Sequence, residues 1–144
     1  MDFDGTVTAY REALGALLCG DHGPVWSLFS RRDDVTLANP MGPPSRGPAE
    51  VEKTIRAAAA NFGSGTLSRV DEISRYATSD LGYVLQIEHS EGTLADSDDV
   101  VAISLRVTMI FRREDEVWKV AHRHADPITT ARPITSAISA RRPA

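Results

Sequence analysis

The chain has 144 residues, with 16 lysines and arginines against 20 aspartates and glutamates and a formal net charge of −4 at pH 7. This acidic balance argues against a nucleic-acid-binding surface, and no apolar run is long enough to cross a membrane. The first residues are acidic and unlike a signal peptide, so we expect a cytoplasmic protein that binds neither nucleic acid nor membrane.

Two helices are predicted at the start of the chain. Apolar residues recur at helical spacing over residues 6–19, and Gly20 supplies a stop signal after them. Asp21 is a suitable N-cap for a second, shorter helix, in which Pro24 is tolerated in the first turn. The glycine and the aspartate between the two segments predict a sharp change of direction.

A short strand, a loop and a third helix follow. Residues Val35–Ala38 have the composition of a strand, and prolines and glycines hold Asn39–Gly47 away from regular structure. Pro48 suits the first position of a helix, and apolar residues mark one face of that helix as far as about Phe62.

The second half of the chain is predicted to form strands. Four segments are rich in β-branched and aromatic residues or alternate apolar with polar residues: Leu67–Ala77, Leu81–His89, Val100–Phe111 and Val117–Ala125. The last two of these form a hairpin across a polar turn. The acidic residues Ser90–Asp99 form a long loop in this interpretation.

Helices that precede antiparallel strands are typical of an α+β fold. We expect a cystatin-like cone, in which three N-terminal helices pack on a curved, mainly antiparallel sheet and leave a pocket inside. This domain covers residues 1–127. Residues 128–144 carry prolines and no firm period, which predicts an extended tail that is exposed beyond Arg132. Exposure is also expected for Asp96–Asp99, and burial for Phe29 and Trp118.

One arginine stands in the middle of a predicted strand, between apolar residues. Arg106 shares its strand face with Thr108. A guanidinium in such a position needs a partner, which could be a carboxylate such as Glu88 or an anionic ligand in the pocket. The residues alone leave both alternatives open.

The last strand places His122, His124 and Asp126 on one face, and alternate positions of this kind can hold a metal ion. No further histidine or cysteine stands obviously near them, so packing or subunit contact is the simpler interpretation. We therefore predict no metal site, and because the chain has no phosphate loop or cofactor fingerprint we predict no cofactor. Trp26 is a candidate binding platform, although tryptophans more often belong to the core.

Three stretches of the chain together indicate one family. They are G-D followed by an apolar helix at residues 20–34, V-T-L-A-N-P-M-G at residues 35–42, and R-V-T-M-I-F-R-R with W-K-V-A-H-R-H between residues 106 and 124. The pattern resembles the nuclear transport factor two-like superfamily and its SnoaL-like domains. The resemblance implies a SnoaL-like α+β barrel over residues 1–127, a fold that carries many unrelated functions.

The resemblance to ketosteroid isomerases does not extend to their catalytic residues. Asn39 stands where these enzymes have an aspartate as general base, and an amide has no useful basic form. The position of their tyrosine donor falls at Ala13, and the strand that carries their protonated aspartate has Arg106 and Thr108 instead. Ketosteroid-type isomerisation is therefore not expected.

The resemblance to the association domain of calcium/calmodulin-dependent kinases implies a pocket lined by arginines. Arg106 is the counterpart of one of them, and Arg123 substitutes for another whose position falls at Ala125. This register points Ala121, Arg123 and Ala125 inward and turns the histidines outward. The candidate ligand-binding residues are therefore Trp26, Asn39, Arg106, Thr108, Arg123 and His124.

The leading prediction is a stand-alone SnoaL-like protein that binds a small anionic or polycyclic molecule in its pocket, without an identified reaction. One alternative is a lyase, cyclase or isomerase that polarises its substrate with Arg106, Arg123 and Asn39. Another alternative is an oligomerisation or accessory module. A homodimer is expected because the sheet face opposite the helices is predicted to carry an apolar patch of Leu105, Val107, Met109 and Trp118.

Overall fold

The computed structural model describes all 144 residues. Three α-helices are present: α1 (Phe3–Leu17), α2 (Gly23–Ser27) and α3 (Pro48–Ala59). The six strands are β1 (Thr36–Ala38), β2 (Ser45–Arg46), β3 (Phe62–Ala77), β4 (Leu81–Leu94), β5 (Val100–Glu114) and β6 (Val117–Asp126). None of the helices combines the length and the apolar character that a membrane crossing requires.

The strands form one curved, unclosed sheet in the order β2-β1-β6-β5-β4-β3. β1 and β6 run parallel, and every other pair is antiparallel. The register shifts at three places between β3 and β4 and at one place between β5 and β6, and such irregularities bend a sheet. The predicted α+β cone, with three helices on a mainly antiparallel sheet, is confirmed.

α1 begins earlier than the apolar periodicity predicts because Asp2 caps it. The Asp2 carboxylate accepts a hydrogen bond from the Gly5 N–H group at 2.7 Å. The helix ends at Leu17, and Gly20, with φ of 92°, turns the chain as predicted. The residues that α1 buries repeat at helical spacing and include Phe3, Val7, Tyr10 and Leu14.

The structure also differs from the sequence predictions around α3. β2 lies within the predicted loop and pairs with β1, so that Ser45 is opposite Leu37. α3 ends at Ala59 instead of about Phe62, because Phe62 already begins β3 and pairs with Leu94.

The predicted ten-residue loop after β4 is wrong, because β4 continues to Leu94. The polar and small residues of this stretch pair with the start of β3: Gly92 with Gly65, and Thr93 with Ser64. A side chain at Gly92 would collide with the Ser64 carbonyl group, so glycine permits the close approach of the two strands. A turn of only five residues, 95–99, joins β4 to β5.

The main core lies between α1 and the concave face of the sheet. Val84, Val107 and Met109 come from the central strands and have no solvent exposure. Phe29 and Trp118 are buried, as predicted, and Phe3 packs against the Trp118 ring at 5.3 Å between centroids. Beyond Arg132 every residue is exposed, as predicted, although Ile134–Ala137 form a short 3-10 helix within the tail that was predicted to be extended.

The apolar patch predicted for dimerisation faces the helices and not the outside. Val107 and Met109 are wholly buried, and Leu105 packs against the same core. The prediction was wrong because alternation separates the two faces of a strand without stating which face the helices cover. The outer face carries instead the side chains of the intervening positions, including Arg106 and Thr108.

Candidate functional site

A cavity of about 330 Å³ lies inside the cone, between the helices and the concave face of the sheet. It is lined by 21 residues, of which 15 are hydrophobic. The walls come from every part of the domain, because α1, α2, α3 and the inward positions of β3, β4, β5 and β6 all contribute. The polar residues on the wall are few: Asn39, Glu88, Ser90 and Arg123, together with the phenol of Tyr10.

The charged residues of the cavity form a forked ion pair. Arg123 Nη1 donates to Glu88 Oε2 at 2.8 Å, and Arg123 Nη2 donates to Glu88 Oε1 at 2.7 Å. Both residues are buried, with relative exposures of 8% for Arg123 and 5% for Glu88. They project from β6 and β4 across the intervening β5, where Met109 Sδ lies 3.7 Å from Arg123 Nη1. Two parallel charge-assisted hydrogen bonds fix this geometry.

A chain of hydrogen bonds connects the buried pair to the protein surface. Gln86 Nε2 donates to Glu88 Oε2 at 2.9 Å, and Arg11 Nη2 donates to Gln86 Oε1 at 2.6 Å. Arg11 Nη2 also contacts Glu72 Oε1 at 2.8 Å, close to solvent. The side-chain amide of Gln86 therefore lies between the Arg11 cation and the Glu88 anion. Its oxygen must face Arg11 and its nitrogen must face Glu88, because a guanidinium can only donate and a carboxylate can only accept.

Glu88 is held in its ionised form. Burial by itself would raise the pKa of Glu88, but the charge of Arg123 and the hydrogen bonds from Arg123 and Gln86 outweigh it. The net result is a pKa below the usual value for a glutamate. Burial opposes the charge on Arg123 too, and Glu88 more than compensates, so the pKa of Arg123 is raised.

Tyr10 completes the polar end of the cavity. The Arg123 guanidinium lies 5.4 Å from the centre of the Tyr10 ring, within range of a cation–π contact. Burial raises the pKa of Tyr10 to about 12, an effect that the charge of Arg123 reduces and that of Glu88 adds to. The phenol is therefore neutral at physiological pH and keeps a proton that it can donate.

Residues 8–129 match the family model of the SnoaL-like domain. The chain belongs to the SnoaL-like family. No curated protein matches its sequence significantly.

Solved structures share the fold of this SnoaL-like domain at low sequence identity. One from Thiobacillus denitrificans, described as a calcium/calmodulin-dependent protein kinase type II association domain, is 21% identical, with 88% of this chain and 95% of that chain covered and a TM-score of 0.71. One from Streptomyces avermitilis, described as a dehydratase of the nuclear transport factor 2-like family, is 22% identical, with coverages of 87% and 92% and a TM-score of 0.65. A ketosteroid isomerase-like protein from Erwinia carotovora is 17% identical, with coverages of 88% and 94% and a TM-score of 0.69.

Two of the predicted site residues lie on the cavity wall. Arg123 points inward, as the family resemblance implies, and Asn39 lines the cavity together with its sequence neighbours Pro40 and Met41. The Asn39 side-chain oxygen accepts a hydrogen bond from the Met41 N–H group at 3.1 Å. This hydrogen bond fixes the start of the loop that follows β1. It uses the side-chain oxygen of Asn39, so the side-chain NH₂ group is not engaged by it.

Arg106 does not lie in the cavity, and the expectation that it points inward is wrong. It is exposed on the outer sheet face, where Nη2 donates to Asp126 Oδ2 at 2.8 Å and Nε to Oδ1 at 3.1 Å. The alternative pairing of Arg106 with Glu88 is also wrong, because Glu88 is bound to Arg123 instead. The cause is strand parity, since the inward positions of β5 are Val107 and Met109.

The remaining predicted residues lie outside the cavity as well. Thr108 and His124 are partners on the outer face, and His124 Nε2 lies 3.0 Å from Asp126 Oδ2. The outward direction expected for the histidines is thus confirmed. Trp26 packs at the edge of the core beneath the guanidinium of Arg31, which is 3.6 Å from its ring centre.

Sequence reasoning missed the roles of Tyr10 and Gln86. In the sequence Tyr10 has the spacing of the other buried residues of α1, and only its hydroxyl group distinguishes it from an apolar core residue. Gln86 and Glu88 alternate with Val84, which is wholly buried. Two polar side chains at alternate positions from a predicted core valine could have indicated polar residues inside the core.

Proposed function

We propose that this SnoaL-like domain binds a small, uncharged and mainly apolar molecule of polycyclic size, with a hydrogen-bond acceptor directed at Tyr10 and Arg123. The observation that carries this proposal is the composition of the cavity wall, in which 15 of 21 residues are hydrophobic and the only charged residues are the paired Glu88 and Arg123. The volume of about 330 Å³ lies in the range of small-molecule sites in proteins.

The ion pair favours an uncharged ligand over the anion that was one of the sequence-based predictions. Arg123 directs two N–H groups at Glu88, so its charge is already compensated. An anion would lose its hydration shell on entry and would meet the carboxylate of Glu88 beside the guanidinium. A neutral carbonyl or ether oxygen avoids both penalties.

The same pair favours binding over proton abstraction. Glu88 is the one carboxylate on the cavity wall, and its oxygens accept hydrogen bonds from Arg123 and Gln86. Because these bonds stabilise the ionised form, Glu88 is a weak base toward a substrate. A lyase, cyclase or isomerase would have to break the fork first.

Two dyes of similar size test the proposal. Nile red is uncharged and carries a ring carbonyl, whereas 1-anilinonaphthalene-8-sulfonate is an anion. We expect Nile red to gain fluorescence with the folded protein and to raise its midpoint of thermal unfolding, and the sulfonate to do neither. Preferential binding of the sulfonate would contradict the proposal.

Adjacent alanines of α3 provide a matched pair of variants. Ala58 lines the cavity, so Ala58→Trp should fill it and abolish Nile red binding. Ala57 is exposed on the same helix, so Ala57→Trp should leave binding unchanged. Equal binding by both variants would place the dye outside the cone.

We also propose a homodimer, formed through the end of the outer sheet face near the β3–β4 turn. Tyr76 and Tyr83 pair there across the two strands and remain 64% and 38% exposed. Exposed aromatic residues on a sheet face favour contact with a second copy by two-fold symmetry. Light scattering should give twice the chain mass, and Tyr76→Glu should reduce it to the monomer mass.

A further inference from the structure

A serine, a histidine and an aspartate stand in a row on the outer sheet face, on three neighbouring strands. His89 in β4 pairs in register with Ser104 in β5 and with Arg69 in β3. His89 Nδ1 lies 2.8 Å from Ser104 Oγ, and His89 Nε2 lies 2.8 Å from Asp71 Oδ2. Both ring nitrogens are thus within hydrogen-bond distance of a side chain, in the arrangement that activates a serine.

The position of the histidine proton follows from the carboxylate. The hydrogen bond with His89 is the largest cause that lowers the pKa of Asp71, with Arg69 adding to it, so Asp71 is ionised at neutral pH. A carboxylate oxygen and an unprotonated ring nitrogen would repel each other at 2.8 Å, so the proton of neutral His89 lies on Nε2. Nδ1 then has its lone pair directed at the Ser104 hydroxyl.

Arg69 holds the carboxylate in place. Its Nε lies 3.1 Å from Asp71 Oδ1, and its Nη2 lies 3.2 Å from Asp71 Oδ2. Arg69 Nη2 is also 3.1 Å from His89 Nε2, but both nitrogens carry protons in this tautomer, so that contact is not a hydrogen bond and both groups donate to Asp71 Oδ2. Asp71 is therefore bound on both oxygens, which fixes the orientation of the imidazole that it contacts. Asp71 and Arg69 act as positioning residues in this arrangement.

The cluster opens into a groove that a small substrate can reach. His89 and Ser104 line a groove of about 380 Å³, and the His89 side chain is 24% exposed.

β6 ends at Asp126 opposite Arg106, so the segment of β5 that carries Ser104 has a strand neighbour on one side only. Alternate N–H groups of a strand point to opposite edges, so either Ser104 or both of its neighbours direct an N–H at the open edge. Such a donor can stabilise a developing oxyanion.

We propose that Ser104, His89 and Asp71 form a second site, separate from the cavity, which hydrolyses small uncharged esters. Ser104 Oγ attacks the ester carbonyl carbon while His89 Nδ1 takes the hydroxyl proton. The bond to the alcohol oxygen then breaks, the alcohol leaves with the proton from His89, and an acyl-Ser104 ester remains. Water attacks this ester, His89 takes a proton from the water and returns it to Ser104, and a carboxylic acid is released.

Covalent labelling of the full chain tests the proposal. A fluorophosphonate probe should lose fluoride and form a single adduct on Ser104, identified by mass spectrometry of proteolytic peptides. p-Nitrophenyl acetate should be hydrolysed faster than in buffer. Ser104→Ala should abolish both signals, and His89→Gln and Asp71→Asn should each lower the hydrolysis rate roughly 10²-fold.

Ser74 provides the matched control, because it lies in β3 and its hydroxyl contacts the Tyr83 hydroxyl at 2.9 Å, away from any histidine. Ser74→Ala and the cavity-filling Ala58→Trp should both retain labelling, which separates this site from the cavity. Circular dichroism should show that each variant is folded. Failure of the probe to label Ser104 in the folded wild type, or unchanged hydrolysis by folded Ser104→Ala, overturns the proposal.

Discussion

Two arginine–carboxylate pairs of this domain have similar geometry and opposite surroundings. Arg123 and Glu88 form their fork inside the cone, at distances of 2.7 and 2.8 Å. Arg106 and Asp126 form a fork on the outer face, at distances of 2.8 and 3.1 Å, and the Arg106 side chain is 47% exposed. The comparison separates what geometry contributes from what burial contributes. In the inner pair each charge depends on its partner, whereas in the outer pair water reaches the guanidinium of Arg106, and Asp126 has further hydrogen bonds with His124 and the Ile128 N–H group.

The largest effect is expected when one partner of the inner pair is removed. Arg123→Met leaves the Glu88 carboxylate buried without a cation, and a loss of roughly 3–5 kcal/mol in the free energy of unfolding is typical of such a change. Urea denaturation at pH 7 measures it. The double variant Arg123→Met with Glu88→Gln removes both charges and keeps an acceptor for Gln86, so it should be more stable than Arg123→Met alone. A double variant as unstable as the single one would contradict this account.

A smaller effect on the free energy of unfolding is expected from a change of pH, and its sign should differ between the wild type and Arg123→Met. In the wild type the pKa of Glu88 is lowered on folding, so its contribution to stability is complete above about pH 4.5 and is lost as the pH falls through the folded pKa. In Arg123→Met burial dominates and raises the pKa of Glu88, so protonation favours the folded state. Between pH 7 and pH 5 this variant should therefore gain stability relative to the wild type. Each unit of pKa shift corresponds to about 1.4 kcal/mol.

Urea denaturation at both pH values gives the difference, and Arg123→Met with Glu88→Gln is the control, since it has no carboxylate at position 88. The gain should disappear in that control. If it persisted, another carboxylate would have to be responsible.

The comparison also shows how far the sequence could predict this molecule. The three helices, the long strands and the burial of Phe29 and Trp118 follow from periodicity, and the order of helices before strands predicted the cone. The outward orientation of Arg106 could not be predicted from the sequence. Arg106 and Val107 both lie between apolar neighbours, and only the position of the helices decides which of the two points inward.

Contacts between side chains that are distant in sequence could not be predicted either. Glu88 and Arg123 are 35 positions apart and lie on strands that do not pair, so their contact depends on the register of β4, β5 and β6 together. The bulges of β3 interrupt the alternation that would have indicated its face, including the place where Ile73 lies outside the register. The row formed by Asp71, His89 and Ser104 depends on that same irregular register.

The smallest effect is expected at the outer pair. Arg106→Ala removes a guanidinium from a side chain that is 47% exposed, and Asp126 keeps hydrogen bonds from His124 and from the Ile128 N–H group. Its urea midpoint should therefore not differ measurably from that of the wild type. Nile red binding should also be unchanged, because Arg106 has no place on the cavity wall. A clear loss of dye binding in Arg106→Ala, with Ala57→Trp as the reference, would show that the outer face is coupled to the cavity, and the separation of the two pairs by the sheet would then be wrong.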